Sequence, residues 1–141
     1  MFIHFGIRTA TGGAWGEANQ DVTAFNPVDL DCGQWADAAV SANMTFGILT
    51  TKHHDGFCLW DSKTTENDVV SSPWKDGQGD VVREYVDAFR NRGLEPCFYY
   101  SIRDNTEGVG NGPITQSHMD FNCGSNDRDP LQLRSDQDAV Y

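Results

Sequence analysis

The sequence predicts an α/β domain built on a parallel sheet, and three observations support this class. Short apolar segments alternate with amphipathic ones in the order strand, helix, strand, helix, strand. Acidic N-cap residues, Asp31 and Asp80, precede both amphipathic segments. The chain has 141 residues and 14 glycines, which suits one core with many turns. Because strands that alternate with helices form right-handed βαβ units, we expect a parallel sheet.

The first half of the chain is predicted to contain two strands and one helix. Residues 1–7 are an apolar run that predicts the first strand, and a loop rich in Gly and Thr follows it. Asp31-Cys32-Gly33-Gln34 has the pattern of a capping box and predicts a helix that ends near Ala42. Residues spaced by three and four predict its inward face, namely Trp35, Ala38, Ala39 and Ala42. Residues 45–51 are β-branched and apolar, which is typical of a strand buried on both faces.

The second half is predicted to contain one helix and one strand after a long irregular loop. Asp80 caps a predicted helix over residues 81–92, which ends at Arg92-Gly93. Its inward stripe is predicted to be Val82, Tyr85, Val86 and Phe89. Residues 96–101 form the third predicted strand, whose first position is a Pro, where a missing N–H is tolerated. Residues 122–141 show neither helical nor strand periodicity and are interpreted as an irregular or disordered tail.

The charge of the chain argues against polyanionic partners. Asp and Glu outnumber Lys and Arg by 21 to 10, which disfavours nucleic acid or an anionic membrane as the partner. A neutral ligand such as a sugar remains open. No apolar run approaches the ~18 residues that a membrane helix needs. The cysteines form no C-x-x-C pair and are interpreted as thiols, with disulfides as the alternative: Cys32, Cys58, Cys97 and Cys123.

Polar and aromatic residues gather where the predicted strands end. His4 lies near the end of the first strand, and His53 and His54 follow the second. Tyr99 and Tyr100 end the third. In a parallel α/β fold the carboxyl ends of the strands form the edge where ligands bind. Each residue alone is equally well explained by a structural hydrogen bond, but three strands with the same pattern favour a binding site.

Tryptophans provide a second group of candidates. An indole ring can stack on the apolar face of a sugar, and its N–H can donate to a hydroxyl. The alternative for each is a structural role in covering the sheet. The candidates in loops after strands are Trp15, Trp60 and Trp74, whereas Trp35 is assigned to the core.

A metal site is an alternative interpretation of the histidines. Imidazole, carboxylate and thiolate suit zinc or iron, and the chain offers His4, His53-His54-Asp55 and Cys58. Adjacent side chains on an extended segment point in opposite directions, so His53 and His54 are not expected to bind one ion together. The sequence contains no G-x-S-x-G, P-loop or G-x-G-x-x-G pattern, so serine hydrolase and nucleotide chemistry have no support.

Residues 50–60, with the sequence TTKHHDGFCLW, resemble the signature of glycoside hydrolase family 29, the α-L-fucosidases. Further blocks resemble that family in the same order: Phe2-Ile3-His4-Phe5-Gly6, Phe25-Asn26-Pro27, Gly79-Asp80-Val81-Val82 and Tyr99-Tyr100-Ser101. The resemblance implies a (β/α)8 barrel, of which this chain would hold about the first three βα units. It assigns residues 1–121 to a partial catalytic barrel and leaves residues 122–141 as the irregular tail.

The resemblance also implies the substrate and its contacts. The substrate would be a fucosylated oligosaccharide or glycoconjugate, with no metal or organic cofactor. Fucose contacts fall on His4, His53, His54 and Tyr99, and a neutral imidazole offers one donor and one acceptor, which suits hydroxyls. Trp15 corresponds to the Trp of an E-W-G block, but Ala14 stands where its Glu is expected. Glu17 is the candidate replacement, since a lost carboxylate contact costs about 1.5–3 kcal/mol.

A retaining double-displacement mechanism follows from the resemblance and needs two carboxyl groups about 5–5.5 Å apart. The nucleophile of the family is an Asp after the fourth strand, and no fourth strand is recognisable here. The chain is therefore predicted to lack the catalytic carboxylates and to be inactive alone. The alternatives are a non-catalytic fucose-binding protein and a metal-dependent hydrolase. His4-Phe5-Gly6, Thr11-Gly12 and residues 72–75 resemble the subfamily that cleaves α-1,3/1,4-fucosyl linkages.

Overall fold

The computed structural model describes residues 1–13 and 16–106. Its helices and strands are, in chain order, β1 (Phe2–Ile3), α1 (Ile7–Thr11), α2 (Cys32–Ser41), β2 (Phe46–Lys52), α3 (Val81–Arg90) and β3 (Glu95–Tyr100). Short 3-10 turns occur at Val22–Ala24, Val69–Ser71 and Trp74–Gly77. The predicted tail and the boundary after residue 121 lie outside the described residues.

The strands form a parallel sheet in the order β1-β2-β3. Phe2 pairs with Ile48 on one side of β2, and on the other side Leu49 pairs with Phe98. All of these strands run in one direction, so their carboxyl ends meet at one edge of the sheet. The predicted α/β class and parallel sheet are confirmed.

Both predicted helix N-caps are present. The Asp31 carboxylate accepts the N–H groups of Gly33 and Gln34 at 2.8 and 3.3 Å. The Asp80 carboxylate accepts the N–H of Arg83 at 2.7 Å. Each cap satisfies donors that the first helical turn leaves without a partner, which explains why α2 and α3 begin where they do.

Helix α3 packs its predicted stripe onto the sheet. The Tyr85 hydroxyl donates to the carbonyl oxygen of Gly47 at 2.6 Å. A Cβ atom at Gly47 would lie 2.3 Å from the Phe89 ring, so a larger residue there would push α3 away from β2. The whole predicted stripe is buried: Val82, Tyr85, Val86 and Phe89. Because α2 contacts both α3 and β2, the two helices cover the same face of the sheet.

The predicted inward face of α2 was right for Ala39 and wrong for Ala38 and Ala42. The buried residues are Cys32, Ala36 and Ala39, whereas Ala38 and Ala42 are exposed. Trp35 is half-buried against Phe5, with ring centroids 5.3 Å apart. The small side chains of Cys32 and Ala36 let α2 approach its neighbours closely, and the bulky indole is left at the margin of the contact.

The first predicted strand was too long. Only Phe2–Ile3 is a strand, and Ile7–Thr11 is a short helix. The Thr9 hydroxyl accepts the N–H of Gly6 at 3.3 Å, and the Thr9 N–H donates to the Gly6 carbonyl at 3.0 Å. Ile7 is fully buried as the first residue of this helix. An apolar side chain at a helix start and one at a strand end look alike in the sequence.

Aromatic and thiol groups complete the core. Phe25 and Phe57 pack with ring centroids 5.0 Å apart. The described cysteines are free and buried, namely Cys32, Cys58 and Cys97, which confirms the thiol interpretation for them, while Cys123 lies outside the described residues. No helix in the described part of the chain has the length and apolar character to cross a membrane.

Candidate functional site

The carboxyl edge of the sheet brings together four of the predicted site residues. His4 follows β1, His53 and His54 follow β2, and Tyr99 lies near the end of β3. The ring of His53 is central, with its centroid 5.9 Å from that of His4 and 5.5 Å from that of Tyr99. The His54 ring lies 4.5 Å from that of His53. The parallel register therefore places these rings side by side.

A cavity of about 320 Å³ lies at this edge. His4 and His53 line it, together with Thr50, Arg8 and Asp55. Small-molecule pockets in proteins start at about 300 Å³, so this volume suits a compact ligand such as a monosaccharide. The lining combines imidazole, hydroxyl, guanidinium and carboxyl groups, all of which hydrogen-bond to sugar hydroxyls.

Thr50 fixes the chain where it leaves β1. Its hydroxyl oxygen lies 3.2 Å from the N–H of Phe5, which donates to it, and 3.1 Å from the Phe5 carbonyl oxygen, to which it donates. Because His4 directly precedes Phe5, these bonds set the position of the His4 backbone relative to β2. Sequence reasoning did not identify Thr50, which looks like an ordinary β-branched strand residue.

The segment after β3 holds the segment after β2 in place. The Asn105 N–H donates to the carbonyl oxygen of His54 at 2.7 Å, and the Thr106 hydroxyl donates to that of Asp55 at 2.6 Å. The Asn105 side-chain amide also donates to the carbonyl oxygen of Gly16. Residues 105–106 therefore join the segments that follow all the strands of the sheet.

A buried ion pair lies beneath these segments. The Lys52 ammonium is 3.0 Å from a carboxylate oxygen of Asp104, and each side chain is only 3% exposed. The ammonium also donates to the carbonyl oxygen of Ser101 at 3.1 Å and lies 5.2 Å from the centre of the Tyr100 ring. A Cβ atom at Gly56 would lie 2.6 Å from the Asp104 carboxylate, so the chain at Gly56 must pass close to the pair.

His53 and His54 are half-buried and hydrogen-bonded at Nδ1. The N–H of His54 donates to Nδ1 of His53 at 2.8 Å. Nδ1 of His54 is hydrogen-bonded to the Ser101 hydroxyl. Burial lowers the pKa of both imidazoles below 6.5, because a cation is poorly solvated there. Both rings are therefore neutral at pH 7.

The His53 and His54 rings lie closer together than an extended segment would place them, with centroids 4.5 Å apart. A turn begins directly after β2, marked by the Gly56 N–H donating to the His53 carbonyl oxygen at 3.0 Å, so the rule for extended strands does not apply. Within residues 1–13 and 16–106, however, no group of three His, Cys, Asp or Glu side chains is arranged to hold a metal ion.

Asp55 lines the cavity and is 4% exposed. Its carboxylate accepts the N–H of Phe57 at 2.9 Å, and burial raises its pKa above 3.8. It is the one carboxyl among the described residues that line the cavity. A retaining glycosidase needs two carboxyl groups about 5–5.5 Å apart, so this lining does not supply the pair.

Two of the tryptophans predicted to be available for stacking on a sugar are buried instead. Trp60 and Trp74 are 3% and 2% exposed and belong to the hydrophobic core. Their ring faces are covered by protein, which leaves no surface for a sugar, because the chain between β2 and α3 folds inward. Trp15 and Ala14 lie outside the described residues. Sequence spacing cannot distinguish a tryptophan that lines a site from one that closes the core.

Glu17 is linked to the cavity through an arginine. Its carboxylate is exposed and forms an ion pair with the Arg8 guanidinium at 2.7 Å. Arg8 also donates to the Gln20 side chain at 2.5 Å and itself lines the cavity. Sequence reasoning missed Arg8, because it directly follows an apolar run that predicted a strand.

Comparison with known proteins places this geometry in context. The sequence model of a family described as Alpha-L-fucosidase matches residues 14–123. A relative from rice (Oryza sativa subsp. japonica) is 47% identical over 109 residues, which cover 77% of this chain and 21% of the relative. Alpha-L-fucosidase 1 of Arabidopsis thaliana is 43% identical over 107 residues, which cover 76% of this chain and 21% of the relative.

The crystal structure of a glycoside hydrolase 29 family member from an unknown rumen bacterium has a similar fold. It superposes with a TM-score of 0.72 at 50% sequence identity, covering 74% of this chain and 19% of the bacterial chain. The chain thus spans about a fifth of the length of the relatives and of the structure that it matches.

Proposed function

The chain belongs to the α-L-fucosidase family, glycoside hydrolase family 29, and from this membership we propose that it forms the fucose-binding part of a glycosidase. The observation that carries the proposal is the juxtaposition of His4, His53 and Tyr99, whose neighbouring ring centroids lie within 6 Å beside a cavity of about 320 Å³. This is the size of site and the set of polar groups that a monosaccharide requires.

We propose that His4, His53, His54 and Tyr99 bind the hydroxyl groups of a terminal α-L-fucose. Because His53 and His54 are neutral at pH 7, each ring has one N–H donor and one acceptor nitrogen. The Tyr99 ring stacks on His53 at an interplanar angle of 23°, which holds both rings in place. Trp15 is proposed as a further contact, and Glu17 as the replacement for the Glu expected at Ala14. The ion pair of Glu17 with Arg8 places it beside a residue that lines the cavity. Trp60 is left in the core because its ring is covered.

The sheet is proposed to be the first part of a (β/α)8 barrel. The parallel order β1-β2-β3 with α2 and α3 on one face supports this, because strands of such a barrel are added in sequence with the helices outside. The opposite face, which carries Phe2 and Phe46, would then point into the barrel. Its carboxyl edge would be the mouth, where the sites of such barrels lie.

For the reaction we propose retaining hydrolysis of a fucosyl linkage in an oligosaccharide or glycoconjugate. The nucleophile and the acid/base are proposed to come from other strands of the barrel, since Asp55 is the one carboxyl among the described lining residues. The 141-residue chain alone is then expected to bind fucose without cleaving a fucoside. We propose an α-1,3 or α-1,4 linkage, because His4-Phe5-Gly6, Thr11-Gly12 and residues 72–75 resemble the subfamily that cleaves such linkages.

The test is release of 4-nitrophenol from 4-nitrophenyl α-L-fucoside, and of fucose from a Lewis-type trisaccharide. Two proteins are compared, the chain as written and a version extended through its native locus. We expect turnover by the extended version alone, with a chelator having no effect on it. Turnover by the 141-residue chain would overturn the assignment of the carboxylates.

A second candidate is a fucose-binding protein without catalytic activity, which the single carboxyl of the described lining favours. It predicts that both versions bind L-fucose in calorimetric titration and that neither cleaves either substrate. Failure of both versions to bind L-fucose would exclude the two candidates together.

A further inference from the structure

The hydrogen bond at Nδ1 of His53 determines where that ring carries its proton. The backbone N–H of His54 donates to this nitrogen at 2.8 Å. A ring nitrogen that accepts a hydrogen bond has its lone pair free of a proton, so the neutral ring carries its hydrogen on Nε2. His53 therefore presents a donor at Nε2.

Ser101 imposes the opposite arrangement on His54. The Ser101 hydroxyl donates to the carbonyl oxygen of Arg103 at 2.8 Å. A hydroxyl has a single hydrogen, so its contact with Nδ1 of His54 must be one in which the imidazole donates. If the hydroxyl donated to the imidazole instead, two oxygen lone pairs would face each other at 2.8 Å. Neutral His54 therefore carries its hydrogen on Nδ1 and presents an acceptor at Nε2.

Burial and backbone hydrogen bonds fix the positions of Ser101 and His54 relative to each other. The residue is 3% exposed. Its N–H donates to the carbonyl oxygen of Lys52 at 3.0 Å, and its own carbonyl accepts the Lys52 ammonium at 3.1 Å. On the other side of the contact, the His54 carbonyl accepts the Asn105 N–H at 2.7 Å. Both partners are fixed through their backbones.

We infer that Ser101 is a positioning residue that fixes the tautomer of His54, so that His53 and His54 present one donor and one acceptor to a sugar hydroxyl pair. This inference rests on the proposed function of the same site. The ring centroids are 4.5 Å apart, which is close enough for one sugar to contact both rings. A hydroxyl both donates and accepts, and the matched pair therefore selects hydroxyl groups over groups that only accept.

The tautomers are tested first by NMR on the chain with 15N-labelled histidine at pH 7.5. Long-range ¹H–15N correlations distinguish a protonated ring nitrogen from an unprotonated one. We expect the hydrogen on Nε2 of His53 and on Nδ1 of His54. Observation of His54 with its hydrogen on Nε2 would overturn the inference, and this outcome does not depend on any ligand.

Variants then connect the tautomer to binding. Ser101→Ala is expected to give His54 a mixture of tautomers and to weaken L-fucose binding about tenfold, the effect of one lost hydrogen bond of about 1.4 kcal/mol. Ser101→Thr keeps the hydroxyl and is expected to restore both. The matched control is Ser72→Ala, because Ser72 is also buried and its hydroxyl also donates to a backbone carbonyl, that of Val69, at 2.6 Å. It should change neither readout.

Deoxyfluoro analogues of L-fucose complete the test. The informative analogue carries fluorine in place of the hydroxyl that meets His54, because fluorine can accept a hydrogen bond but cannot donate one. Wild type should bind this analogue more weakly than it binds fucose. Ser101→Ala should bind the analogue no more weakly than wild type does, because part of its His54 carries the hydrogen on Nε2. Weaker binding by Ser101→Ala with the tautomer unchanged would overturn the positioning role. If wild type shows the inferred tautomers but binds no fucose, the proposed function fails while the role of Ser101 toward His54 stands.

Discussion

The burial of His53 and His54 makes the folded chain sensitive to pH. Burial lowers the pKa of both rings below 6.5, and the neighbouring Asp55 opposes this for His53. In the unfolded chain both imidazoles titrate near the ordinary value of about 6.5. Between the folded pKa and this value the unfolded state binds more protons, so the free energy of unfolding rises with pH. The stability contributed by the neutral rings is lost as pH falls through that window.

We therefore expect the midpoint of urea unfolding to decrease as pH is lowered from 7.5 to 5.5. The double variant His53→Asn, His54→Asn should show a smaller decrease, because Asn does not titrate. The pKa values of Asp55, Asp68 and Asp80 are raised in the folded chain. Their contribution to the free energy of unfolding therefore increases as pH falls, which opposes the effect of the histidines. For this reason the pH dependence is compared between variants. An unchanged slope in the double variant would show that other groups cause the pH dependence.

At the level of single residues, the location of candidate side chains at the edge of the sheet was predictable from the sequence. Their hydrogen-bond and ion-pair partners were not. His4 was identified because it lies near the end of the first predicted strand, and His53 because it follows the second. Parallel strands end at one edge of a sheet. Ser101 also follows a strand, but its role depends on where a hydroxyl hydrogen points. The Lys52–Asp104 pair joins residues that only the register of β2 and β3 brings together, and no local pattern in the sequence indicates it.

At the level of elements, helix starts were predictable because capping is local. Asp31 and Asp80 act on N–H groups two or three residues away, so the caps can be read directly from the sequence. The buried face of α2 could not be read in the same way, because an alanine-rich helix offers several apolar stripes. Packing against α3 and β2 decides among them, and the buried residues are Cys32, Ala36 and Ala39.

The buried Lys52–Asp104 ion pair joins the end of β2 to the segment after β3. Removal of one partner from a buried pair leaves an uncompensated charge and costs about 3–5 kcal/mol. We expect Lys52→Met to destabilise the chain by this order and to weaken L-fucose binding, since His53 directly follows Lys52. The double variant Lys52→Met, Asp104→Asn should recover part of the stability, because it no longer buries an unpaired carboxylate.

The matched control for the buried Lys52–Asp104 pair is the exposed pair Lys63–Asp61, whose side chains are 57% and 53% exposed. Exposed pairs contribute about 0–1 kcal/mol, so Lys63→Met should leave the urea midpoint nearly unchanged. If Lys52→Met and Lys63→Met shift the urea midpoint equally, the buried Lys52–Asp104 pair does not stabilise the contact between the end of β2 and the segment after β3.

At the scale of the whole molecule, the sheet has two unlike faces. Helices α2 and α3 cover one face, to which Gly47 and Leu49 point. Side chains alternate along a strand, so Phe46 and Ile48 lie on the other face, and Phe2 joins them because it pairs with Ile48. Phe2 and Phe46 are 50% and 45% exposed. This second face is an apolar surface that the described residues do not cover.

We expect the 141-residue chain to self-associate through this face. Burial of a Phe side chain contributes about 1.5–3 kcal/mol, so Phe46→Thr should raise the dissociation constant of self-association by about tenfold or more. Threonine keeps the β-branched character that suits a strand. Sedimentation velocity over a range of concentrations measures the effect, and Val28→Thr is the control, because Val28 is 76% exposed and lies outside the sheet. If Phe46→Thr leaves association unchanged, the face is not the contact. The alternative contact is then the outer edge of β1 or β3, which no strand among the described residues pairs with and which can hydrogen-bond to a strand of another chain. If Phe46→Thr weakens self-association and Val28→Thr does not, the contact lies on the face that the proposed barrel would enclose.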